Sequence, residues 1–461
     1  MESAKKQISQ NEIISGNINT FSSPTELKIT DLRVCNINGA PKHCPLIKIY
    51  TNQGIVGYGE VRDASSATYA LMLKSRILGE NPCNVDKLFR RIKQFGGHSR
   101  QGGGVSGVEI ALWDIVGKAY SVPLYQLLGG KFRDKIRMYC DTDVEGKHTG
   151  HDMGLALKAR MEAGYTFLKM DLGIELMLDE PGCLNAPAGF LEDIKKYSMK
   201  AINHQHGSID MDMMLGKNYE IFTIPHHATG IHVTEKGLDY LENYVREVRD
   251  VIGYEIPLAI DHLGHIAITD CIRVAKRLEP YNIAWIEDVA PWQYTDHYVK
   301  IANSTTVPIC TGEDIYLHDN FEPLMSRGGV SVIHPDMLTV GGALEMKKLG
   351  DMCDKYGVAM AIHMAESPIA CMAAIQTAAA IQNVLAVEYH SIDCKWWNDI
   401  AIGIDKPLIE NGFARVSEKP GLVIDSLNEE LLAEHMHVKY PEMWASTEEW
   451  NKEWANDRTW S

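Results

Sequence analysis

Basic residues are in short supply in this chain: 45 Lys and Arg stand against 61 Asp and Glu, a formal net charge of −16. Nucleic-acid binding rests on clustered Lys and Arg facing phosphates, so that class of function is disfavoured. A small anionic substrate is still allowed, because one divalent cation and a few basic groups reverse the sign inside a pocket. No run of eighteen apolar residues occurs, and no membrane span is expected. The opening MESAKKQISQNEIISGNINTFSSP lacks the apolar stretch of a secretion signal, so a cytoplasmic protein is the expectation. Ten cysteines are scattered without CxxC or zinc-finger spacing, and Cys310, Cys353 and Cys371 fall inside apolar segments. They read as buried free thiols of a reducing compartment.

What is present is material for a large core. The 461 residues exceed one ordinary domain, and 45% of them are hydrophobic. Residues 1–26 are polar and read as a loose arm. From Leu27 the pattern alternates, in LKITDLRVCNI and then CPLIKIYTNQGIVGYGEV, where NQG marks a hairpin turn. Residues 66–128 read as helical. Val108, Leu112, Ile115 and Val116 share one face there, and Val122-Pro123 and Gly129-Gly130 punctuate the end. Residues 27–132 are therefore expected to form an α+β domain.

A different rhythm begins at KIRMYCD and continues through FLKMDLG. Short apolar runs then end in acidic residues: Asp261 closes IPLAID, Glu287 closes NIAWIE and Glu313 closes VPICTGE, each 26 residues after the last. Further stops fall at Asp336, His363 and Glu388, at steps of 23, 27 and 25 residues. Roughly 25–30 residues is what one β/α unit consumes in an eight-unit barrel of about 250 residues. The expected fold is α/β, a TIM barrel over 133–410, with residues 411–461 packing back on the first domain. One step is too long: Asp171 to Asp261 spans 90 residues. The excess, about 174–232, carries His204, His206, His226, His227 and His232. Insertions of this size usually serve as lids or binding loops, with Tyr219, His226 and His227 as candidates here.

The mouth of such a barrel would gather Lys169, Asp171, Asp261, Glu287, Glu313, Asp336, His363 and Glu388. Three hard oxygen ligands, Asp261, Glu287 and Glu313, suit Mg²⁺ better than zinc. His363 reads as a general acid or base oriented by Asp336. A divalent ion beside a His–Asp pair suits removal of a proton next to a carboxylate, because the ion offsets charge developing on the enediolate. Loss of a β-hydroxyl would complete a dehydration.

The stretches GVSGVEIALWDIVGKAYSVPLYQLLGGKFRDKIRMY, LKMD, AIDHLG, WIEDV, GEDIY, IHPDMLTVGG, AIHMAESPI and KPGLVID resemble the enolase superfamily in its mandelate racemase-like branch. Within that branch the chain is most similar to the sugar-acid dehydratases of galactonate and mannonate type. The resemblance spans about 28–425, apart from the insertion. It implies a modified (β/α)₇β barrel under an N-terminal α+β capping domain. It also implies Mg²⁺ on Asp261, Glu287 and Glu313, an Asp336–His363 dyad, Glu388 beside the substrate, and a homo-oligomer. Many relatives carry K-x-K at the second strand, with the second lysine as a base on the opposite face. This chain has Lys169-Met170-Asp171, which weakens a racemase or epimerase reading. Lys169 is then left to hold the substrate carboxylate or to pair with Asp171. Some dehydratases place a histidine two residues after the first ligand as acid for the leaving group. This chain has Leu263 there, between His262 and His265. Capping-domain loops near Asn36–Cys44 and Arg62–Ser66 nominate Lys42, His43 and Arg62 as substrate contacts, alongside His262 and His265. The expected partner is a small sugar acid. Alternatives are a cycloisomerase opening an anhydro-sugar acid or lactone by the same elimination, and a non-catalytic sugar-acid sensor.

Overall fold

A computed structural model describes residues 22–187, 189–192, 202–203, 208–209, 230–261, 263 and 266–453. The chain begins with an antiparallel meander, β1 (Ile29–Ile37), β2 (Cys44–Thr51) and β3 (Val56–Glu60), and the NQG segment makes the β2–β3 turn. Helices α1 (Val85–Ile92) and α2 (Gly103–Tyr120) cover the sheet. Sequence periodicity gave α2 one apolar face, but the structure buries it on nearly every side. Val108, Leu112, Ile115 and Val116 enter the core of the capping domain, whereas Ile110 faces the barrel core. The reason is position: α2 is the layer shared by both domains. Its approach to β3 is backbone to backbone. A Cβ on Gly59 would lie 2.1 Å from the Gly107 carbonyl oxygen, and one on Gly107 would lie 2.1 Å from that of Glu60.

Eight parallel strands then close a barrel: β4 (Lys135–Cys140), β5 (Leu168–Asp171), β6 (Leu258–Asp261), β7 (Ile283–Glu287), β8 (Ile309–Thr311), β9 (Val332–Ile333), β10 (Ala359–Ile362) and β11 (Val384–Tyr389). Closure is made by β11 on β4, with Val387, Glu388 and Tyr389 opposite Met138, Tyr139 and Cys140. Seven helices occupy the connections: α3 (Gly150–Glu162), α4 (Glu235–Ile252), α5 (Ile268–Leu278), α6 (Thr295–Ala302), α7 (Glu322–Ser326), α8 (Ala343–Tyr356) and α9 (Pro368–Ala379). Between β11 and the hairpin that follows, the only helical segment among the described residues is a 3-10 turn, Trp397–Asp399, and no α-helix intervenes, so the architecture is (β/α)₇β.

Inside the barrel, each strand unit contributes one member of a buried cluster: Tyr139, Phe167, Ala259, Trp285, Cys310, Val332, Ala361 and Ala386. Three aromatic rings fill one side and small side chains the other, which is how a closed barrel reaches full density without a pore. Phe167 stacks on Trp285 with ring centroids 4.8 Å apart. This layer is the floor of the mouth above it.

The long β5–α4 connection is gathered at its base by a two-strand ladder, Leu184–Asn185 against His232–Val233. Immediately after it, α4 starts with the Thr234 hydroxyl accepting from the Gly237 N–H, an ordinary N-cap. His232 is thus part of this neck, its Nδ1 3.1 Å from Asp270 Oδ2. Tyr219, His204, His206, His226 and His227 lie outside the described residues. At the C-terminal end, Phe413–Arg415 runs antiparallel to β4, and the chain then crosses to the capping domain. There the Leu422 N–H donates to Asp114 Oδ1, and Lys74 Nζ donates to the carbonyl and hydroxyl of Thr447. All ten cysteines are free, and eight of them are buried.

Replacement Gly107→Val forces a side chain against the Glu60 carbonyl, so α2 must lift from β3. The expected loss is about 1–3 kcal/mol, read as a lower denaturation midpoint in urea.

Candidate active site at the barrel mouth

Side chains alternate along a strand, so residues two beyond the floor layer point inward again, one level higher. Counting upward from Tyr139, Phe167, Ala259, Trp285, Val332, Ala361 and Ala386 gives Asp141, Lys169, Asp261, Glu287, His334, His363 and Glu388. A further step gives Asp171, Asp336 and His390. The exception is β8, where Gly312 has φ +150 and lies against the His334 backbone, so Glu313 enters one residue out of phase.

Buried carboxylates dominate the resulting cluster. Asp261, Glu287 and Asp288 each present an atom within 4.8 Å of the others, and so do Glu287, Glu313 and His334. Glu287 links the two groups. Burial first, then the neighbouring Glu287, Glu313 and Asp261, push the Asp288 carboxyl well above the usual range. Such crowding of acidic oxygens has the chemistry of a hard divalent-cation site, and the donor set fits Mg²⁺.

Lys169 stands in the centre. Its Nζ is 2.7 Å from Asp261, 2.9 Å from Glu388 and 3.3 Å from Glu287, with the side chain 1% exposed. Burial opposes its charge, yet these carboxylates outweigh that cost and hold the ammonium well above its ordinary range. On the same level, His334 Nδ1 meets Glu287 at 2.5 Å, and its Nε2 meets the Tyr139 hydroxyl at 2.5 Å. Sequence reasoning passed over His334, Asp141 and His390. The two-residue step from Tyr139, Val332 and Glu388 was the signal that would have found them.

On the adjoining side, His363 Nδ1 lies 2.6 Å from Asp336 Oδ2, and the two residues form a parallel bridge across neighbouring strands. The other nitrogen, Nε2, lies 3.0 Å from Glu313 and 3.9 Å from Glu388. His363 is buried but reaches the mouth. Asp171 sits opposite Asp261 in the β5–β6 register, half-buried at the strand end.

The capping domain inserts one charge into this cluster. Arg62 follows β3, is 0% exposed, and lies 2.9 Å from Asp63, 3.2 Å from Glu313, and 3.4 Å from both Asp336 and Glu366. It also donates to the Glu313 carbonyl at 2.8 Å and to the Thr339 hydroxyl. The nominated substrate contacts therefore separate. Arg62 is engaged with carboxylates of both domains. Lys42 Nζ is 3.3 Å from Asp63, which Arg100 also approaches at 3.3 Å. His43 bonds Asn36 at 3.0 Å, and its ring lies 4.7 Å from that of His437 in the C-terminal segment. His262 and His265 lie outside the described residues, while Leu263 between them is buried.

Comparison with known proteins shows what the fold is similar to. Residues 153–430 match the family model described as enolase C-terminal domain-like, and residues 38–129 match the mandelate racemase / muconate lactonizing enzyme N-terminal domain. A D-xylonate dehydratase of Haloferax volcanii is 31% identical over 404 residues, 86% of each chain. A D-galactonate dehydratase of Verminephrobacter eiseniae is 26% identical, covering 88% of this chain and 94% of its own. Among solved structures, a mandelate racemase/muconate lactonizing enzyme-like protein from Rubrobacter xylanophilus is 25% identical with a TM-score of 0.74, over 91% of this chain and 100% of that one. A putative dehydratase from Salmonella enterica serovar Typhimurium, also 25% identical, has a TM-score of 0.70 over 89% of this chain and 99% of its own.

Two outcomes follow from the charges. Arg62→Met leaves Asp63, Glu313, Asp336 and Glu366 without their shared counter-charge, and destabilises the protein by about 3–5 kcal/mol in chemical denaturation. Burial, aided by His437, pushes the His43 imidazole down from 6.5 to about 4. The fold thus favours neutral His43, and this contribution is complete above the ordinary pKa and lost as pH falls through about 4. His43→Asn should lose stability less steeply than wild type between pH 6.5 and 4 in urea titrations.

Proposed function

The chain belongs to the mandelate racemase / muconate lactonizing enzyme family of the enolase superfamily, and from that premise we propose that it is a Mg²⁺-dependent sugar-acid dehydratase. The observation that carries the reading is the Asp336–His363 pair, at 2.6 Å, set beside a convergent group of buried carboxylates. An enzyme that removes a weakly acidic proton needs both parts. It needs a base held in place by a carboxylate, and a local positive charge where the product anion develops.

His363 is the base. Asp336 accepts from Nδ1, fixes the tautomer and leaves Nε2 to take the proton on the carbon next to the substrate carboxylate. Asp261, Glu287 and Glu313 are the residues that would hold Mg²⁺, an ion that supplies electrostatic stabilisation of negative charge on the substrate carboxylate when bound. Lys169 keeps three of the surrounding carboxylates in register and contributes a second fixed positive charge beside the substrate acid. Glu388 lies between Lys169 and His363 and faces the substrate hydroxyls. The buried mouth, roofed by the capping domain, excludes water from the strongly basic carbanionic species.

Elimination is favoured over racemisation because the opposite face lacks a competent second base. Asp171 occupies the position, and Lys169 is committed to ion pairs with Asp261, Glu287 and Glu388. The relatives named D-xylonate and D-galactonate dehydratase point to aldonic acids as the substrate class.

Incubation of the protein and Mg²⁺ with a panel of aldonic, uronic, aldaric and anhydro-sugar acids should yield a 2-keto-3-deoxy acid, detected as its semicarbazone. EDTA should abolish turnover and added Mg²⁺ should restore it. His363→Asn should lower kcat by about 10²–10⁴ with the fold intact by circular dichroism. Undiminished turnover in that variant would sink the assignment of the base.

A further inference from the structure

Dehydration requires a proton for the departing β-oxygen, and the inference below rests on the dehydratase reading. Most proton-bearing groups described at the mouth are already engaged. Lys169 is shared among three carboxylates, and His334 has both nitrogens occupied by Glu287 and Tyr139. Leu263, two residues beyond Asp261, has no proton to give.

His390 is different. It lies two residues beyond Glu388 on the inward register of β11, with its side chain 18% exposed. Its Nε2 is buried, has no hydrogen-bond partner, and stands 3.5 Å from Glu388 Oε1. The His390 and His363 ring centroids are 5.5 Å apart, and Glu388 lies within reach of both. On the far side of the ring, Nδ1 is 3.7 Å from Asp141 Oδ2. Strand register explains this neighbour. Tyr389 pairs with Cys140, so His390 and Asp141 leave the β11–β4 ladder side by side. Asp336 and His363 are related in the same way across β9 and β10. The mouth therefore carries two Asp–His pairs. Burial disfavours charge on His390, but Glu388 and Asp141 outweigh it and raise the imidazole above its ordinary range, as a proton donor requires.

The geometry points to His390 as the catalytic residue that protonates the leaving oxygen, with Asp141 as its positioning residue. His363 takes the Cα proton at Nε2. The electron pair of that C–H bond moves reversibly onto the substrate carboxylate as an enediolate, and then returns to make the Cα–Cβ double bond as the Cβ–O bond breaks. The oxygen keeps the pair of the broken bond, takes the proton from His390 Nε2 and departs as water. The enol then rearranges to the 2-keto acid, and neutral His390 regains a proton from solvent.

The test uses the Mg²⁺-loaded full chain with D-xylonate and D-galactonate, their 3-deoxy-3-fluoro analogues, and deuterium oxide. His390→Asn should lose at least about 100-fold in kcat on the hydroxy acids. It should still wash solvent deuterium into Cα of unreacted substrate, because His363 is untouched. It should recover to within about tenfold of wild type on the fluoro analogues, since fluoride leaves without a proton. Asp141→Asn should show the same pattern in weaker form, and His363→Asn should lose elimination, exchange and fluoride release together. A His390→Asn protein that dehydrates at the wild-type rate overturns the assignment of His390 and leaves the dehydratase reading standing. Equal impairment on fluoro and hydroxy acids does the same, because a purely structural defect gives no rescue. A wild-type protein that neither dehydrates nor exchanges either acid overturns the aldonate dehydratase reading itself, and the assignment falls with it.

Discussion

Mutual repulsion among buried carboxylates is the constraint around which this molecule is organised. Asp261, Glu287, Asp336, Glu366 and Glu388, all buried, converge with the half-buried Asp288 and Glu313 within one barrel mouth. Unpaired, such groups would protonate or force the strands apart. Two cations offset much of this, although the Asp288 carboxyl is still pushed well above the usual range. Lys169 rises from the floor of the barrel to meet Asp261, Glu287 and Glu388. Arg62 descends from the capping domain to meet Asp63, Glu313, Asp336 and Glu366. One cation belongs to each domain, so neither domain completes the electrostatics alone.

That division explains how the domains are joined. Helix α2 is buried against β3 on one side and the barrel on the other, and Glu109 on it accepts from the N–H groups of Ala343 and Leu344 at the start of α8. Ser367, which caps α9, donates its N–H to Glu60 at the end of β3. The backbone contact between Gly59 and Gly107 sets the height of β3, and Arg62 follows only two residues after that strand. Packing of small residues in the capping domain therefore determines where a guanidinium sits beside the Asp336–His363 pair.

The barrel supplies the complementary half through alternation. A floor of Tyr139, Phe167 and Trp285 against smaller side chains fills the lumen, and the next inward positions are almost all polar or charged. Hydrophobic burial below thus forces charge to gather above. Aromatic bulk and functional groups are consecutive levels of one register, and on β7 the two are also bonded, Trp285 Nε1 donating to Glu287 at 2.9 Å.

Much of this was legible in the linear chain. The 26-residue recurrence of Asp261, Glu287 and Glu313 announces the barrel, because one β/α unit has a nearly fixed length and its strand ends share one face. The two-residue step would also have marked Asp141, His334 and His390, since alternation is a local property of any strand. Other features follow from no local rule. Arg62 is nominated from its loop position, but nothing local in the sequence tells that it is buried among carboxylates up to 304 positions away. Glu313 reaches the mouth only because Gly312 breaks the register of β8. Asp141 meets His390 because the last strand closes on the first, across 249 residues. Periodicity is written along the chain by nearest-neighbour geometry. Ion pairing depends on which ends meet, and only closure of the barrel and docking of its cap decided that.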